Sequence, residues 1–283
     1  MSSLFDFDKP AIYAVMGNPV SHSKSPRIHG LFAEQTGQRI QYTAIQVDPG
    51  GFEQAVRNFV ANGGRGLNIT VPFKTKAWEL VDSRTPRASL AGAVNTIEVR
   101  AGGVLHGDNT DGVGLVRDIV NNQGGRIADK SVLLLGAGGA ARGVLSPLLE
   151  QSPAELVIAN RTEDRAVTLA QSFSQFGPVK GCGFDDLAGR RFDLVVNATS
   201  ASLQGEVPPL PDGLLAPGAW CYDMMYGAAA TPFIQWAERH GAQKVADGLG
   251  MLVEQAAESF LLWRKVRPQT APVIAALRAE LSR

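Results

Sequence analysis

The residues best suited to hold a reactive group are a run of small ones, Gly136-Ala137-Gly138-Gly139-Ala140-Ala141. An apolar run at 132–135 precedes them and a helical pattern follows, so they form the turn of a strand–turn–helix unit. The spacing is G-x-G-x-x-A. Gly136 permits the turn, Gly138 lets a pyrophosphate approach the backbone, and Ala141 lets helix and strand pack closely. The helix N-terminus beyond offers free N–H groups and a positive dipole end to phosphate oxygens. Any strand–helix turn can need glycine, so the next strand decides.

That strand is ELVIAN, residues 155–160. A site for NAD places Asp or Glu at this strand's end, to bond the ribose 2′-hydroxyl. Here Asn160-Arg161-Thr162 stand there, with Arg165 further on. Thr162 is placed to cap a helix running to Phe173. Two cations at a helix N-terminus oppose its dipole, and a bound 2′-phosphate gripped by guanidinium groups would resolve that conflict. Two arginines can also be merely solvated. Their coincidence with the glycine motif points to NADP.

A second constellation lies earlier and is made of hydroxyls, amides and single charges. Ser23 and Ser25 stand in the loop GNPVSHSKSP. Ser25 is placed to cap a helix and Pro26 to be its first residue, whereas Ser23 has no such explanation. Together the hydroxyls can bind a carboxylate or hydroxyls. Asn68 and Thr70 share one face of a strand at 67–71, and Lys74 follows it. Ligands of α/β sheets gather at such carboxyl ends, although a lone lysine opening a helix is usually just solvated. Asn95 lies in an otherwise apolar strand and needs partners if buried. Asp111, in GDNTDG, either caps the next helix or does chemistry.

The elements that position these groups alternate. A strand at 12–16 leads to a helix ended by Gly37, a strand at 42–47 to a helix at 52–60, and a break at 62–66 to the strand at 67–71. A hairpin joins 93–100 to 104–106. This pattern predicts an α/β fold with parallel pairing. Residues 121–130 are polar and mark a domain boundary. Strands follow at 192–197, 220–223 and 244–246. The first ends in a polar loop with Thr199, suited to lie over a nicotinamide. The second runs into Met224-Met225-Tyr226, and the third into Gly248 and a final long helix that Pro268 ends. Gln255 lies off that helix's apolar stripe.

The chain of 283 residues suits two domains. Lysine plus arginine equals aspartate plus glutamate at 27 each, with no basic block, which argues against nucleic acid and membrane surfaces as partners. The N-terminus lacks a basic stretch before an apolar one and does not read as a secretory signal. The most apolar window, 132–149, carries Arg142 and several glycines and is not a membrane span. Cys182 and Cys221 are isolated, and the histidines show no ligand spacing. A reduced, cytoplasmic protein without a metal is expected.

The segments GNPVSHSKSP, LNITVPFK, AGAVNT, GDNTDG, GAGGAA, NRT with Arg165, NATS, DMMY and ADGLGMLVEQAA resemble, in order and spacing, the shikimate dehydrogenase family over almost the whole chain. One departure is a missing proline after Tyr226, where the family often has YxPxxTP. The resemblance implies that Lys74 and Asp111 are the catalytic pair at the substrate's C3 hydroxyl. It implies that Ser23, Ser25, Thr70, Asn95, Asp111, Tyr226 and Gln255 hold shikimate, with Asn68 an extra ligand. Gly136, Ala137, Gly138, Gly139 and Ala140 would hold the pyrophosphate. Asn160, Arg161, Thr162 and Arg165 would hold the phosphorylated ribose, and Thr199, Met224 and Gly248 would meet the nicotinamide end. Shikimate has one carboxylate and three hydroxyls, so a ligand set rich in Ser, Thr, Asn and Gln suits it.

The implied fold is two α/β domains: a substrate domain of 1–111 completed by 247–283, and a Rossmann-type doubly wound NADP domain of 112–246, with the cleft at their junction. The expected partner is a small molecule, and the expected state is monomer or homodimer. One rival is a quinate/shikimate dehydrogenase that also accepts NAD; such relatives often carry an acidic residue at the strand end that this chain lacks. Another is a non-catalytic NADPH-binding regulator, which would have no use for Lys74, Asp111 and the whole hydroxyl-binding set.

Overall fold

The computed structural model describes residues 9–282, with the Leu203 side chain left aside. The chain divides into two compact units. One runs up to Thr110 and takes in Ala256–Val273; the other is Asp111–Gln255 with the residues from Ile274 on.

In the first unit, β1 (Ala11–Gly17), α1 (Ser25–Thr36), β2 (Ile40–Gln46), α2 (Phe52–Ala61) and β3 (Gly64–Ile69) alternate as the pattern requires. They are followed by α3 (Lys74–Leu80), β4 (Ser83–Arg84), α4 (Pro86–Ala91), β5 (Thr96–Val99) and β6 (Leu105–Asp108). The sheet order is β2-β1-β3-β5-β6-β4. β1 pairs in parallel with β2 and β3, while β5 pairs antiparallel with β3 and β6, as the expected hairpin. Met16, Leu67, Ile69, Phe73, Val94 and Ile97 form part of one buried core.

β3 begins at Gly64, inside the stretch that the sequence marks as a break, and ends at Ile69 rather than at residue 71. The two glycines are there for packing. A Cβ on Gly64 would strike the Phe59 ring, and one on Gly66 would strike the Trp263 indole. The rings occupy the space that side chains at these two positions would fill.

The second unit opens with α5 (Asp111–Arg117), which widens into a π-helical turn at Asp118–Asn122. β7 (Ser131–Leu135), α6 (Gly139–Leu149), β8 (Glu155–Ala159), α7 (Glu163–Phe173) and β9 (Val179–Cys182) follow. Then come β10 (Phe192–Asn197), β11 (Leu215–Asp223), α8 (Pro232–Arg239), β12 (Lys244–Asp247), α9 (Leu249–Arg264) and α10 (Ala271–Leu281). The sheet is parallel throughout, in the order β12-β11-β10-β7-β8-β9. Read from the far edge this is the doubly wound order 3-2-1-4-5-6, whose switch point lies between β7 and β10.

The unit boundary at Thr110 falls one residue before the expected one. The C-terminal return differs more. α9 belongs to both units: Gly250 and Met251 pack on Asp118 and Tyr222 of the second, while Ser259 and Trp263 bond Thr96 and Ile97 of the first. From Ile274 on, α10 clusters with the second unit, to which Arg278 is tied through Asp247. α9 also stops at Arg264, where Lys265 adopts a left-handed φ of 58°, before Pro268 is reached.

Candidate active site

In the second unit the sequence motif becomes a cradle. Gly136 has a φ of 104°, which only glycine adopts without strain, and its Cβ position would lie 3.2 Å from the Thr199 methyl. Gly138 stands at the N-cap of α6, and a Cβ on Gly138 or Gly139 would meet no atom within 4 Å. Ala141 is fully buried. The helix end therefore has open space above its free N–H groups, which is what a pyrophosphate requires. The residues fit a dinucleotide.

At the neighbouring strand end Asn160 turns back, its Nδ2 donating to the Thr162 carbonyl at 2.9 Å. Thr162 occupies the N-cap of α7, but its side chain makes no capping hydrogen bond. Arg161 and Arg165 are exposed. Glu163 and Asp164 lie in the helix's first turn and already complement its dipole, so the arginines create no conflict that a phosphate must resolve.

The residues expected at the nicotinamide end are held by a buried carboxylate, Asp223. It accepts hydrogen bonds from Asn197 Nδ2 (3.1 Å), Ser202 Oγ (2.7 Å), Thr231 Oγ1 (2.5 Å) and the Met225 N–H (3.1 Å). Burial raises its pKa, and these donors work against that rise. Asn197 Oδ1 in turn accepts from the Thr199 N–H and hydroxyl at 3.1 and 2.7 Å. The loops carrying Thr199, Met224 and Tyr226 thus share one anchor. Gly248 donates its N–H to the Met225 carbonyl at 3.0 Å, and a Cβ there would collide with the Met224 carbonyl. Met224 and Gly248 are therefore neighbours. Burial, then the nearby Asp247, raises the Tyr226 pKa.

In the first unit the carboxyl ends of β1 and β3 and the residue before β5 lie together. The Thr70 N–H donates to Met16 O at 3.0 Å, Asn18 N–H to Val71 O at 2.9 Å, and Val94 N–H to Lys74 O at 2.9 Å. Lys74 opens α3 and is half-buried. Thr70 has left the strand, so it does not continue the Asn68 face by strand alternation. Asn95 precedes β5 and is buried. Its Nδ2 donates to Thr110 Oγ1 at 2.9 Å and its Oδ1 accepts from the Thr110 N–H at 2.9 Å. Asn95 thereby fixes the residue before Asp111, which opens α5 in the second unit.

Ser25 does not cap α1 as expected. Lys24, not Ser25, is the N-cap of α1, and it offers no side-chain bond; Ser25 is the first helical residue. The Ser23 hydroxyl accepts from the Ser25 N–H at 3.3 Å. The Ser25 side chain is buried and bonds the Tyr42 hydroxyl instead. Sequence spacing could not reveal this, because Tyr42 lies on another strand.

Tyr42 begins a network that the sequence did not disclose. Its hydroxyl donates to Asn68 Oδ1 at 2.7 Å, and His29 Nε2 lies 3.2 Å from the same oxygen. Asn68 Nδ2 donates to Thr96 Oγ1 at 3.2 Å and Ser259 Oγ at 3.0 Å. The Asn68 amide is therefore committed to this scaffold. Burial lowers the His29 pKa to about 3, against a smaller raising effect of Asn68. Burial also holds the Tyr42 hydroxyl well above its ordinary value. A second anchor is Asp108, bonded by Arg87 (2.7 and 2.5 Å), Thr85 and the Asn109 N–H. Burial pushes its carboxyl up, but these donors together hold it below the usual range. Both anchors sit in segments singled out above, LNITVPFK and GDNTDG, as neighbours of the candidate ligands.

A doubly wound sheet with an open glycine cradle at its switch point, joined to a second α/β unit lined by hydroxyl and amide groups, defines a two-domain dinucleotide-dependent dehydrogenase. Comparison with known proteins narrows this. The family model described as shikimate dehydrogenase substrate binding domain matches residues 15–97, that of shikimate / quinate 5-dehydrogenase residues 118–204, and that of shikimate 5'-dehydrogenase C-terminal domain residues 248–278. The shikimate dehydrogenase (NADP(+)) of Alkalilimnicola ehrlichii is 63% identical over 95% of this chain and 98% of its own. An Ael1 enzyme from Pseudomonas putida superposes with a TM-score of 0.89 at 47% identity, covering 94% of this chain and 98% of that one. The shikimate 5-dehydrogenase of Thermus thermophilus, solved with NADP(H) and shikimate, gives 0.85 at 32% identity, covering 96% and 100%. The chain belongs to the shikimate dehydrogenase family.

Proposed function

We propose that the chain catalyses the reversible NADPH-dependent reduction of 3-dehydroshikimate to shikimate, in the route to chorismate and the aromatic amino acids. The observation that carries this is the family membership of a chain that has Lys74 and Asp111 together with the full hydroxyl-binding set. When bound, NADPH supplies the hydride that reduces the C3 carbonyl. The protein's share is to bind, orient and move a proton. Gly136 to Ala140 take the pyrophosphate, Asn160 to Arg165 the phosphorylated ribose, and Thr199, Met224 and Gly248 the nicotinamide end. Ser23 and Ser25 take the substrate carboxylate, and Thr70, Asn95, Tyr226 and Gln255 its hydroxyls.

Lys74 and Asp111 act at the C3 oxygen. In reduction that oxygen gains a proton, and in oxidation it loses one. A lysine beside an aspartate can carry that proton in either direction. The enzyme works in the cytoplasm, as a monomer or homodimer, on a small-molecule substrate.

The test is nicotinamide absorbance with shikimate and with quinate, for each cofactor, on the native enzyme and on Lys74→Ala, Asp111→Asn and the double variant. Lys74→Ala should lower turnover by about 10²–10⁴-fold, with a smaller change in the shikimate KM and an unchanged melting temperature. Asp111→Asn should behave similarly with some added loss of binding, and the double variant should be less than additive. No turnover of shikimate by the native enzyme would refute the activity. Near-native turnover by Lys74→Ala would remove that residue from the chemistry.

A further inference from the structure

The second unit holds a buried carboxylate that the reaction does not use. Asp118 is fully buried at the start of the π-helical turn after α5, and Glu254 is 3% exposed on α9. π-Turns inside helices often occur at functional sites. Asp118 Oδ2 accepts from the Tyr222 hydroxyl at 2.7 Å, and Oδ1 accepts from Asn122 Nδ2 at 2.9 Å. The same Asn122 nitrogen donates to Glu254 Oε1 at 3.0 Å. The Tyr222 hydroxyl also accepts the Met251 N–H at 3.3 Å.

The segments joined here are those that carry candidate ligands. α5 begins with Asp111, β11 runs through Tyr222 into Met224 and Tyr226, and α9 follows Gly248 and carries Gln255. The packing leaves no slack. A Cβ on Gly250 would fall on the Asp118 carboxylate. A Cβ on Gly114 would lie 2.8 Å from Gln255 Cβ and from its backbone nitrogen. The backbones of α5 and α9 therefore touch at Gln255, and the Asp118 carboxylate fills the space opposite Gly250. Sliding either helix would break the Tyr222 bond or collide with Asp118.

We propose that Asp118, through Tyr222 and the gap at Gly250, is a positioning residue that sets the register of α9 on α5 and so places Gln255 and Asp111 for the substrate. The proposal rests on the shikimate dehydrogenase reading for what those two residues hold. Misplacement of about 1 Å in such a scaffold can cost 100-fold.

The experiment uses the full-length enzyme and two kinds of perturbation. Asp118→Asn keeps the volume and places an amide NH2 against one of its donors. Gly250→Ala changes no polar group and pushes a methyl onto the carboxylate. Each is read by kcat, by the KM for shikimate and for NADP, by shikimate binding in a calorimeter, and by melting temperature. Both variants should weaken shikimate binding at least tenfold and lower kcat, with the KM for NADP changed less than threefold. The double variant Asp118→Ser/Gly250→Ala, which removes the collision, should bind shikimate better than Gly250→Ala alone. Parallel losses of shikimate and NADP affinity that track the melting temperature would show a merely structural role and overturn the proposal. Native shikimate binding in Asp118→Asn would also overturn it while leaving the activity assignment intact. A native enzyme inert toward shikimate would defeat that assignment first, and this proposal with it.

Discussion

His29 makes acid stability a quantitative test of the substrate-binding unit. Its ring is fully buried, stacked on Tyr42 at 4.3 Å and beside Phe260 and Trp263. Nε2 faces the Asn68 carbonyl oxygen at 3.2 Å, so the neutral ring donates there. Burial, only partly offset by that bond, lowers the pKa from 6.5 to about 3. Above pH 6.5 the ring is neutral in both folded and unfolded chains and contributes nothing to the pH dependence. As the pH falls from 6.5 toward 3, the unfolded chain takes up a proton that the folded chain refuses, so stability is lost through that window. The slope approaches about 1.4 kcal/mol per pH unit, which gives a loss of about 2 kcal/mol at pH 5. For a chain of this size that corresponds to about 4–8 °C in melting temperature. His29→Phe keeps an aromatic ring in the cluster and removes the titration. The assay is urea unfolding and melting temperature at pH 7 and pH 5 for both proteins. Taking the difference between them cancels the carboxylates common to both proteins, among them Asp118 and Asp223, whose pKa values burial raises. The native protein should lose about 2 kcal/mol more than the variant over that interval. Equal losses would show that His29 is not held neutral and would refute the argument.

Two further predictions follow from the cofactor and carboxylate ends. Replacing Arg161 and Arg165 with Ala should raise the KM for NADP while leaving NAD use unchanged; two charge-assisted contacts of about 1.5–3 kcal/mol each set an upper range of about 10²–10⁴-fold. An unchanged ratio of NADP to NAD efficiency would exclude both arginines as phosphate ligands. Ser23→Ala and Ser25→Ala should each raise the shikimate KM about tenfold, the equivalent of one hydrogen bond, with a stability loss of about 0.5–1.5 kcal/mol. Because Ser25 bonds Tyr42 rather than capping α1, adding a better cap at Lys24 should not restore Ser25→Ala, and a rescue by Lys24→Asp would refute that role.

What the sequence disclosed is what local chemistry controls. The turn at Gly136 and the alternation of strands and helices follow from short-range rules. What it hid depends on partners far along the chain. Gly64 and Gly66 read as a break because their reasons are the Phe59 and Trp263 rings. Asn68 read as a ligand because the distant Tyr42, His29, Thr96 and Ser259 exhaust its amide. Nothing in the sequence singled out Asp118, which accepts from the Tyr222 hydroxyl, or Asp223 as the anchor of the two connections that follow β10 and β11. α9 read as one domain's helix because a continuous apolar stripe does not tell which core each half enters.

Glu163 and Asp164 neutralise the N-terminal end of α7, so the choice of NADP does not rest on repulsion between Arg161, Arg165 and the helix dipole. The remaining ground is positional. A carboxylate selects the unphosphorylated ribose only if it stands at the tip of β8, where it can bond the 2′-hydroxyl and repel a phosphate. That position holds Asn160, whose amide is turned back onto Thr162. Glu163 lies a turn further on, near the Cβ position of Gly183 at the end of β9. A 2′-phosphate near β8 therefore meets no carboxylate at the tip and two exposed guanidinium groups beside it. That difference in charge between the two cofactors is what the arginine substitutions measure.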